Sequence, residues 1–301
     1  MSTASKRLGR IVQNGLLAIY SIFALFPLIW MLILTFKSDA EMYTTTFVFT
    51  PTLANYKEVL LHTDYMKYML DSLIVSGGAV LISVLAGVPA AYALARYNFK
   101  KKEDIAFQIL SFKFAPEILV VLPLFMIYQR LGIYDSYFGL IWVYQLISMP
   151  LLIWVVRGYF EDISVEIEYA AQVDGYSWYQ IFFKNLVPLI KPGLVSAALL
   201  AFIFAWNSFT FPLMLGGTNV QPITVAITKF LGTDSAHYGQ LAVAAASRIC
   251  SAGNHFRTVY PETSGSWSEF RCSKGIEVRI CQEYNWKMLL KNSEKLQLLM
   301  E

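Results

Sequence analysis

Long apolar runs are the feature that most constrains how this chain of 301 residues folds. A helix needs about 20 apolar residues to cross the hydrocarbon core of a bilayer, and only helices and closed barrels satisfy their backbone polar groups there. Four runs have no Asp, Glu, Lys or Arg, at 15–36, 72–95, 137–156 and 192–215; a fifth, at 105–128, has Lys113 and Glu117. The sequence therefore predicts an all-α polytopic membrane protein.

Composition supports this class. Hydrophobic residues make up 56% of the chain and charged residues 15%, whereas a soluble domain has about 45–50% and about 25%. The first run is followed by Lys37-Ser38-Asp39, which is not the small-residue site of a cleaved signal peptide. We expect it to be the first transmembrane helix, after a short N-terminal segment, 1–14.

A sixth span should begin at Tyr238, but its apolar sequence stops at Arg248 after about a dozen residues, fewer than a crossing needs. We therefore expect about six helices, with the sixth, 238–250, truncated or altered by an atypical polar tail at 251–301. Two interpretations stay open: a simple polar tail, or a reading-frame change near Arg248, which the interruption in mid-helix favours. The cysteines Cys250, Cys272 and Cys281 do not have the spacing of a zinc site, so no metal is expected.

Basic residues predict the orientation, because cytoplasmic loops are enriched in Lys and Arg. One basic cluster precedes the first run and a second follows the second run: Lys6, Arg7 and Arg10, then Arg96 and Lys100 to Lys102. Both fit the cytoplasmic side, with the N-terminus inside. The loop 157–188 then returns to the cytoplasm.

This loop has the pattern of two short helices. Ser164 is suited to cap the first helix, Gly175 to end it in a left-handed conformation, and Ser177 with Gln180 to form a capping box for the second, which Pro188 ends. The alternative is an amphipathic hairpin lying on lipid. The acidic residues of the loop disfavour it, because anionic lipid would repel them.

The spacing of Ala170-Ala171, Gly175 and Pro188 resembles the cytoplasmic loop of the inner-membrane permease subunits of ABC importers. Tyr169 occupies the position of that pattern's glutamate, and Glu168 lies one residue earlier. The segments 114–125 and 205–213 look like spans of the carbohydrate permeases of the maltose-type (MalG-like) branch. The resemblance covers roughly residues 10–247.

The resemblance implies a permease subunit of an ATP-driven, binding-protein-dependent importer for oligosaccharides in the bacterial cytoplasmic (inner) membrane. It implies as partners a second permease subunit, two ATP-binding subunits and a periplasmic or extracellular solute-binding protein. ATP and Mg²⁺ would bind the partner ATPase, and this chain would be neither an enzyme nor a cofactor or nucleic-acid binder. The helix 164–175 would dock in the ATPase. The coupling residues of the 164–188 loop would be Glu168, Ala170, Ala171, Asp174, Gly175 and Pro188.

Two sets of polar residues within the runs are candidates for the substrate pathway. Lys113 and Glu117 are ionisable residues four positions apart inside an apolar run, where charged groups are energetically costly and are therefore functional candidates. The alternative is that Lys113 snorkels to the membrane edge. Polar and aromatic residues suited to sugars form the second set: Tyr144, Gln145, Trp206, Asn207, Ser208 and Thr210. Hydrogen bonding between helices is the alternative for these.

Other functions remain open from the residues alone. An ABC permease for amino acids, peptides or phosphate is one alternative, and a passive channel or a polytopic membrane enzyme is another. The chain has no Gly-x-x-x-x-Gly-Lys-[Ser/Thr] motif, so an ATPase activity of its own is not expected.

Overall fold

The computed structural model describes residues 3–38, 40–230 and 237–259, and within these ranges the regular structure is helical. The α-helices are α1 (Thr3–Thr35), α2 (Ala54–Leu61), α3 (Tyr65–Arg96), α4 (Lys102–Ser111), α5 (Glu117–Leu131), α6 (Tyr137–Val143), α7 (Gln145–Asp162), α8 (Glu166–Val173), α9 (Trp178–Gln180), α10 (Val187–Asn207), α11 (Thr210–Leu215), α12 (Ile223–Ala226) and α13 (Tyr238–Val259). Short 3₁₀ turns cover Phe112–Phe114 and Ile227–Phe230, and a π-helical turn covers Ile181–Leu186.

By length and apolarity, three continuous helices can cross a membrane: Val12–Thr35, Tyr65–Arg96 and Trp178–Asn207. Two bent helix pairs bring the number to five if each is one span. The pair Lys102–Phe114 with Glu117–Leu131 bends by 91°, and the pair Tyr137–Val143 with Gln145–Asp162 bends by 42°. The predicted all-α polytopic architecture is therefore confirmed.

The third predicted span, 105–128, is not one helix. The chain breaks between Phe114 and Glu117, where Ala115 is extended with φ −64° and ψ 128°. Pro116 explains the break, because a proline disfavours helical geometry in the residue before it. Pro123 instead lies within α5.

The fourth and fifth spans also differ from their predicted bounds, 137–156 and 192–215. Helix α7 continues to Asp162, into the first part of the loop 157–188. Pro188 does not end the second loop helix, because helical structure runs from Trp178 to Asn207 and Pro188 lies in the first turn of α10. A proline is tolerated there, and the wider π turn before it suits a residue that cannot donate a backbone hydrogen bond.

The other helices extend beyond the predicted spans, and α13 is not one of the described helices that are long and apolar enough to cross a membrane. Helix α1 begins at Thr3 rather than at 15, α3 begins at Tyr65 rather than at 72, and α13 continues past 250 to Val259. The first compact unit of the chain is Met1–Cys250. The predicted tail 251–301 lies outside the described residues from 260 onward.

Helix α3 organises the packing of the first unit, because it contributes to three apolar clusters along its length. Val88 and Ala91 pack with residues of α7, α8 and α10; Val75 and Ala79 pack with residues of α5, α6 and α11; Tyr65 packs with residues of α2, α12 and α13. By contrast, the apolar window of α1 is exposed. Lipid or another subunit would have to cover that surface.

Candidate functional site

A cavity of about 460 Å³ lies where two helix breaks face each other. One break separates α4 from α5, and the other separates α10 from α11 at Ser208 and Phe209. Five of the predicted pathway residues line this cavity: Lys113, Glu117, Asn207, Ser208 and Thr210. The structure thus brings together residues that are about 90 positions apart in the sequence, and it combines them with aromatic side chains.

The ammonium group of Lys113 contacts an aromatic ring in the cavity wall. Lys113 Nζ lies 3.6 Å from the centroid of the Phe204 ring, a cation–π contact. In one continuous helix, Lys113 and Glu117 would lie on the same face, since they are four residues apart. The break at Pro116 removes that geometry, and the ion pairs of the described residues do not include one between them.

Local hydrogen bonds orient the polar groups beside the second break. Asn207 Nδ2 donates to the carbonyl oxygen of Ile203 at 2.8 Å, and Asn207 Oδ1 accepts from Arg248 Nη2 at 2.7 Å. The carbonyl oxygen of Ser208 accepts from Thr224 Oγ1 at 2.9 Å. The break therefore has partners in α12 and α13, and the contact with Arg248 is one that the sequence patterns did not indicate.

Three predicted pathway residues lie outside the cavity lining and serve packing instead. Tyr144 is 1% exposed within the core, and Trp206 stacks on Phe202 with ring centroids 5.5 Å apart. Gln145 accepts from Ser83 Oγ at 2.7 Å and donates to the carbonyl oxygen of Ala79 at 3.1 Å. The bonds of Gln145, which join α7 to α3, are the hydrogen bonds between helices that the sequence offered as the alternative.

Several lining residues were not predicted. They are apolar or aromatic: Phe112, Ala115, Val120, Leu146, Ile147, Phe204 and Phe209 among them. In a chain with 15% aromatic residues, their types alone do not separate a cavity wall from lipid-facing surface. The neighbouring prolines and polar residues were the available signal.

The coupling loop, residues 157–188, has the predicted turn at Gly175 and the predicted capping box at Ser177 and Gln180, whereas Pro188 does not end its second helix. Gly175 has φ +83°, and the N–H groups of Gly175 and Tyr176 close the end of α8 on the carbonyl oxygens of Gln172 and Ala171 at 3.0 Å each. The backbone N–H of Ser177 donates to Gln180 Oε1 at 2.9 Å, within a capping box. Helix α8 begins at Glu166, where the backbone N–H donates to Ser164 Oγ at 3.3 Å.

The coupling residues lie on two faces of this loop. Glu168 and Ala171 are buried, whereas Ala170, Asp174, Gly175 and Pro188 are exposed. Glu168 pairs with Arg96 and accepts a hydrogen bond from Tyr92. The side chain of Glu168 therefore faces α3 in this structure, and its contact with an ATPase stays a prediction. Tyr169 (61% exposed) and Val173 (87% exposed) occupy the outer face instead.

Sequence comparison matches residues 83–253 to the family described as binding-protein-dependent transport system inner membrane component. The trehalose transport system permease protein SugB of Mycobacterium tuberculosis is 34% identical over 70% of this chain and 78% of its own length. The trehalose/maltose transport system permease protein MalG of Thermococcus litoralis is 33% identical over 70% and 78%. The sulfoquinovosyl glycerol transport system permease protein SmoH of Agrobacterium fabrum is 34% identical over 69% and 74%.

Structure comparison gives the same result. A chain of a bacterial ABC transporter involved in the import of the acidic polysaccharide alginate has a TM-score of 0.71 and 25% identity, over 86% of this chain and 98% of that chain. A bacterial alginate ABC transporter in complex with an alginate pentasaccharide-bound periplasmic protein has a TM-score of 0.64 over 84% and 94%. Its identity is 14%, so that likeness concerns the fold alone.

Proposed function

The chain belongs to the family of binding-protein-dependent transport system inner membrane components; it is a permease subunit rather than an enzyme, and we propose that it forms half of the pathway of an importer for oligosaccharides. The cavity of about 460 Å³ between the two helix breaks is the observation that supports oligosaccharides as the substrate class. Asn207, Ser208 and Thr210 offer hydrogen-bonding groups there, and Phe204 and Phe209 offer rings. Sugars need both, because hydroxyl groups alternate with apolar C–H faces on each ring.

The named substrates of related proteins support the same class. Trehalose, trehalose or maltose, and sulfoquinovosyl glycerol appear in the names of three relatives, and alginate in the description of the structural relative. All of them contain sugar units. Lys113 beside Phe204 tolerates either a neutral or an anionic sugar, because Glu117 lines the same cavity.

The coupling loop is the proposed contact with the motor of the importer. In this proposal the exposed residues around Gly175 dock on one of two ATP-binding subunits, which hold the ATP and Mg²⁺. A second permease subunit completes the pathway, and a solute-binding protein delivers the substrate from outside. The basic clusters around Arg7 and Lys101 support a cytoplasmic N-terminus and a cytoplasmic coupling loop.

Reconstitution tests this function. The chain is co-expressed with the permease, ATPase and binding-protein genes beside its own gene, and the purified complex is placed in liposomes with radiolabelled trehalose or alginate oligosaccharides outside. We expect co-purification of an ATP-binding subunit, and uptake that requires both ATP inside and the binding protein outside. Uptake without ATP would indicate a passive channel, and a wild-type chain that purifies without any ATPase would refute the proposal.

A cavity variant makes the test specific. Asn207→Ala removes a hydrogen-bonding group from the cavity and should weaken the apparent affinity for the transported sugar by about five-fold, since one hydrogen bond contributes about 1 kcal/mol. Asn98→Ala changes the same residue type at an exposed site outside the cavity and should leave uptake unchanged. Equal effects of the two variants would remove the cavity from the pathway.

A further inference from the structure

A buried ion pair joins the coupling helix α8 to the end of α3. The carboxylate of Glu168 pairs with the guanidinium of Arg96, the last residue of α3, and the two side chains are 9% and 10% exposed. Tyr92 Oη, one helical turn earlier, donates to Glu168 Oε2 at 2.8 Å. Two residues of α3 therefore hold one carboxylate of α8.

Arg96 holds a second point of the coupling loop. Its Nη2 donates to the carbonyl oxygen of Ile163 at 2.8 Å, while its Nε faces Glu168. Ile163 follows directly after α7. The rigid, planar guanidinium thus fixes both Ile163, which precedes α8, and α8 itself to the same end of α3.

Few other contacts hold α8 in place. The structure describes all eight residues of this helix, and Glu168 and Ala171 are its buried ones. Ala171 contributes one methyl group to the apolar cluster that includes Phe160 and Phe182. A helix of this length is not stable on its own, so its position depends on these two anchors, of which the ion pair is the directional one.

The pair resists separation under load. Moving α8 away from α3 would leave a carboxylate and a guanidinium unpaired in a site with little water, and unpaired buried charges are strongly unfavourable. An apolar contact such as that of Ala171 lets surfaces slide, whereas the hydrogen-bonded pair fixes distance and direction. Force applied to α8 is therefore passed to α3.

We propose that Arg96 and Glu168 are positioning residues, which make α8 and α3 move as one body when the ATPase moves the coupling loop. The inference rests on the proposed docking of α8 to an ATP-binding subunit. It also assigns Glu168 an internal role and leaves the outer face of α8 to Tyr169 and Val173. Helix α3 reaches all three apolar clusters of the first unit, so movement of its end reaches the whole bundle.

Pulsed electron spin resonance on the assembled importer tests this coupling. Spin labels are placed on Gln172→Cys in α8 and Leu85→Cys in α3, both exposed positions outside the proposed docking residues, with the cysteines Cys250, Cys272 and Cys281 replaced by serine. Distances between the labels are measured without nucleotide and with Mg-ATP and vanadate. In the wild-type background we expect the same narrow distribution in both states.

Variants of the pair separate positioning from folding. Glu168→Gln and Arg96→Gln should broaden the distribution and allow ATP with vanadate to shift its mean by about 2 Å or more, the scale of helix shifts in such transitions. Tyr92→Phe removes one hydrogen bond to Glu168 without leaving a charge unpaired. If the Arg96→Gln complex does not assemble, Tyr92→Phe is used instead and should also broaden the distance distribution. The matched control is Glu161→Gln, which breaks the Arg157–Glu161 pair of 2.7 Å that does not contact α8.

The outcomes separate this inference from the proposed function. Two results would overturn the role of Arg96 and Glu168. One is a nucleotide-driven change in the label-to-label distance when both residues are present; the other is that variants of either residue give the same distances as Glu161→Gln. A wild-type complex that purifies without an ATP-binding subunit would instead refute the docking on which the inference rests.

Discussion

At the scale of single residues, the geometry of the coupling loop depends on Gly175. Its φ of +83° lies in the left-handed region, and no atom lies within 4 Å of a Cβ built at this position. A side chain there would therefore meet backbone strain rather than a clash. Left-handed geometry costs a residue with a Cβ about 1–2 kcal/mol. A substitution at 175 would therefore strain the turn between α8 and α9.

Gly175→Ala should therefore weaken retention of the ATP-binding subunit during purification, because the strained turn displaces the exposed docking surface. Gly132→Ala is a matched control for strain, since Gly132 has φ +66°, has open space around its Cβ position and ends α5, away from the coupling loop. Gly158→Ala controls for the added methyl group alone. Equal loss of the ATPase in Gly132→Ala would mean that general instability, and not the loop, causes the effect.

Residue identity predicted part of this loop. Gly175 and the Ser177–Gln180 capping box follow from local spacing, and both have the expected geometry. The inward direction of Glu168 does not follow, because its partner Arg96 lies 72 positions earlier in the chain. A helix of eight residues with acidic groups at 166 and 168 gives no sign of which one is buried.

At the scale of helices, apolar runs predicted where the spans lie but not where they break. The break at Pro116 has a local signal. The break at Ser208 has one as well, because Pro212, four residues later, cannot donate to the carbonyl oxygen of Ser208 and its ring crowds that carbonyl. There, tertiary contacts such as Thr224 Oγ1 with the carbonyl oxygen of Ser208 compensate for lost helical hydrogen bonds. Five polar pathway residues were predicted, but their meeting in one cavity depends on both breaks.

The contact between α7 and α10 gives a prediction at this scale. A Cβ at Gly193 would overlap the ring of Tyr159, so α10 approaches α7 closely only because residue 193 is glycine. Gly193→Ala should destabilise the protein by about 1–3 kcal/mol through overpacking, measured as earlier thermal unfolding in detergent. Gly77→Ala, in open space on α3, should not. In a Tyr159→Ala background, Gly193→Ala should cost much less, because the ring that it would overlap is absent. An equal cost in that background would contradict the packing explanation.

At the scale of the whole molecule, composition did not predict how far the last helix extends. Composition stops the sixth span at Arg248, yet α13 continues to Val259. Arg248 Nη2 donates to Asn207 Oδ1 and to the carbonyl oxygen of Trp206, so a charge that argues against a span by composition has polar partners on α10. The reading-frame change near Arg248 stays a prediction, and resequencing the DNA at codon 248 tests it.

The orientation of the molecule gives the prediction with the widest reach, because the coupling loop and the pathway serve an importer only in one orientation. Val48, between α1 and α2, is 91% exposed, and Val173 in α8 is 87% exposed. The chain is expressed without an ATP-binding subunit, so that no docked partner covers Val173, and Cys250, Cys272 and Cys281 are replaced by serine. Val48→Cys should then react with a membrane-impermeant maleimide in intact cells, and Val173→Cys should react only after permeabilisation. A permeant maleimide, which should label both, controls for reactivity. The basic clusters near Arg7 and Lys101 predict this orientation, so the opposite labelling pattern would place α8 outside and end its role in docking an ATPase.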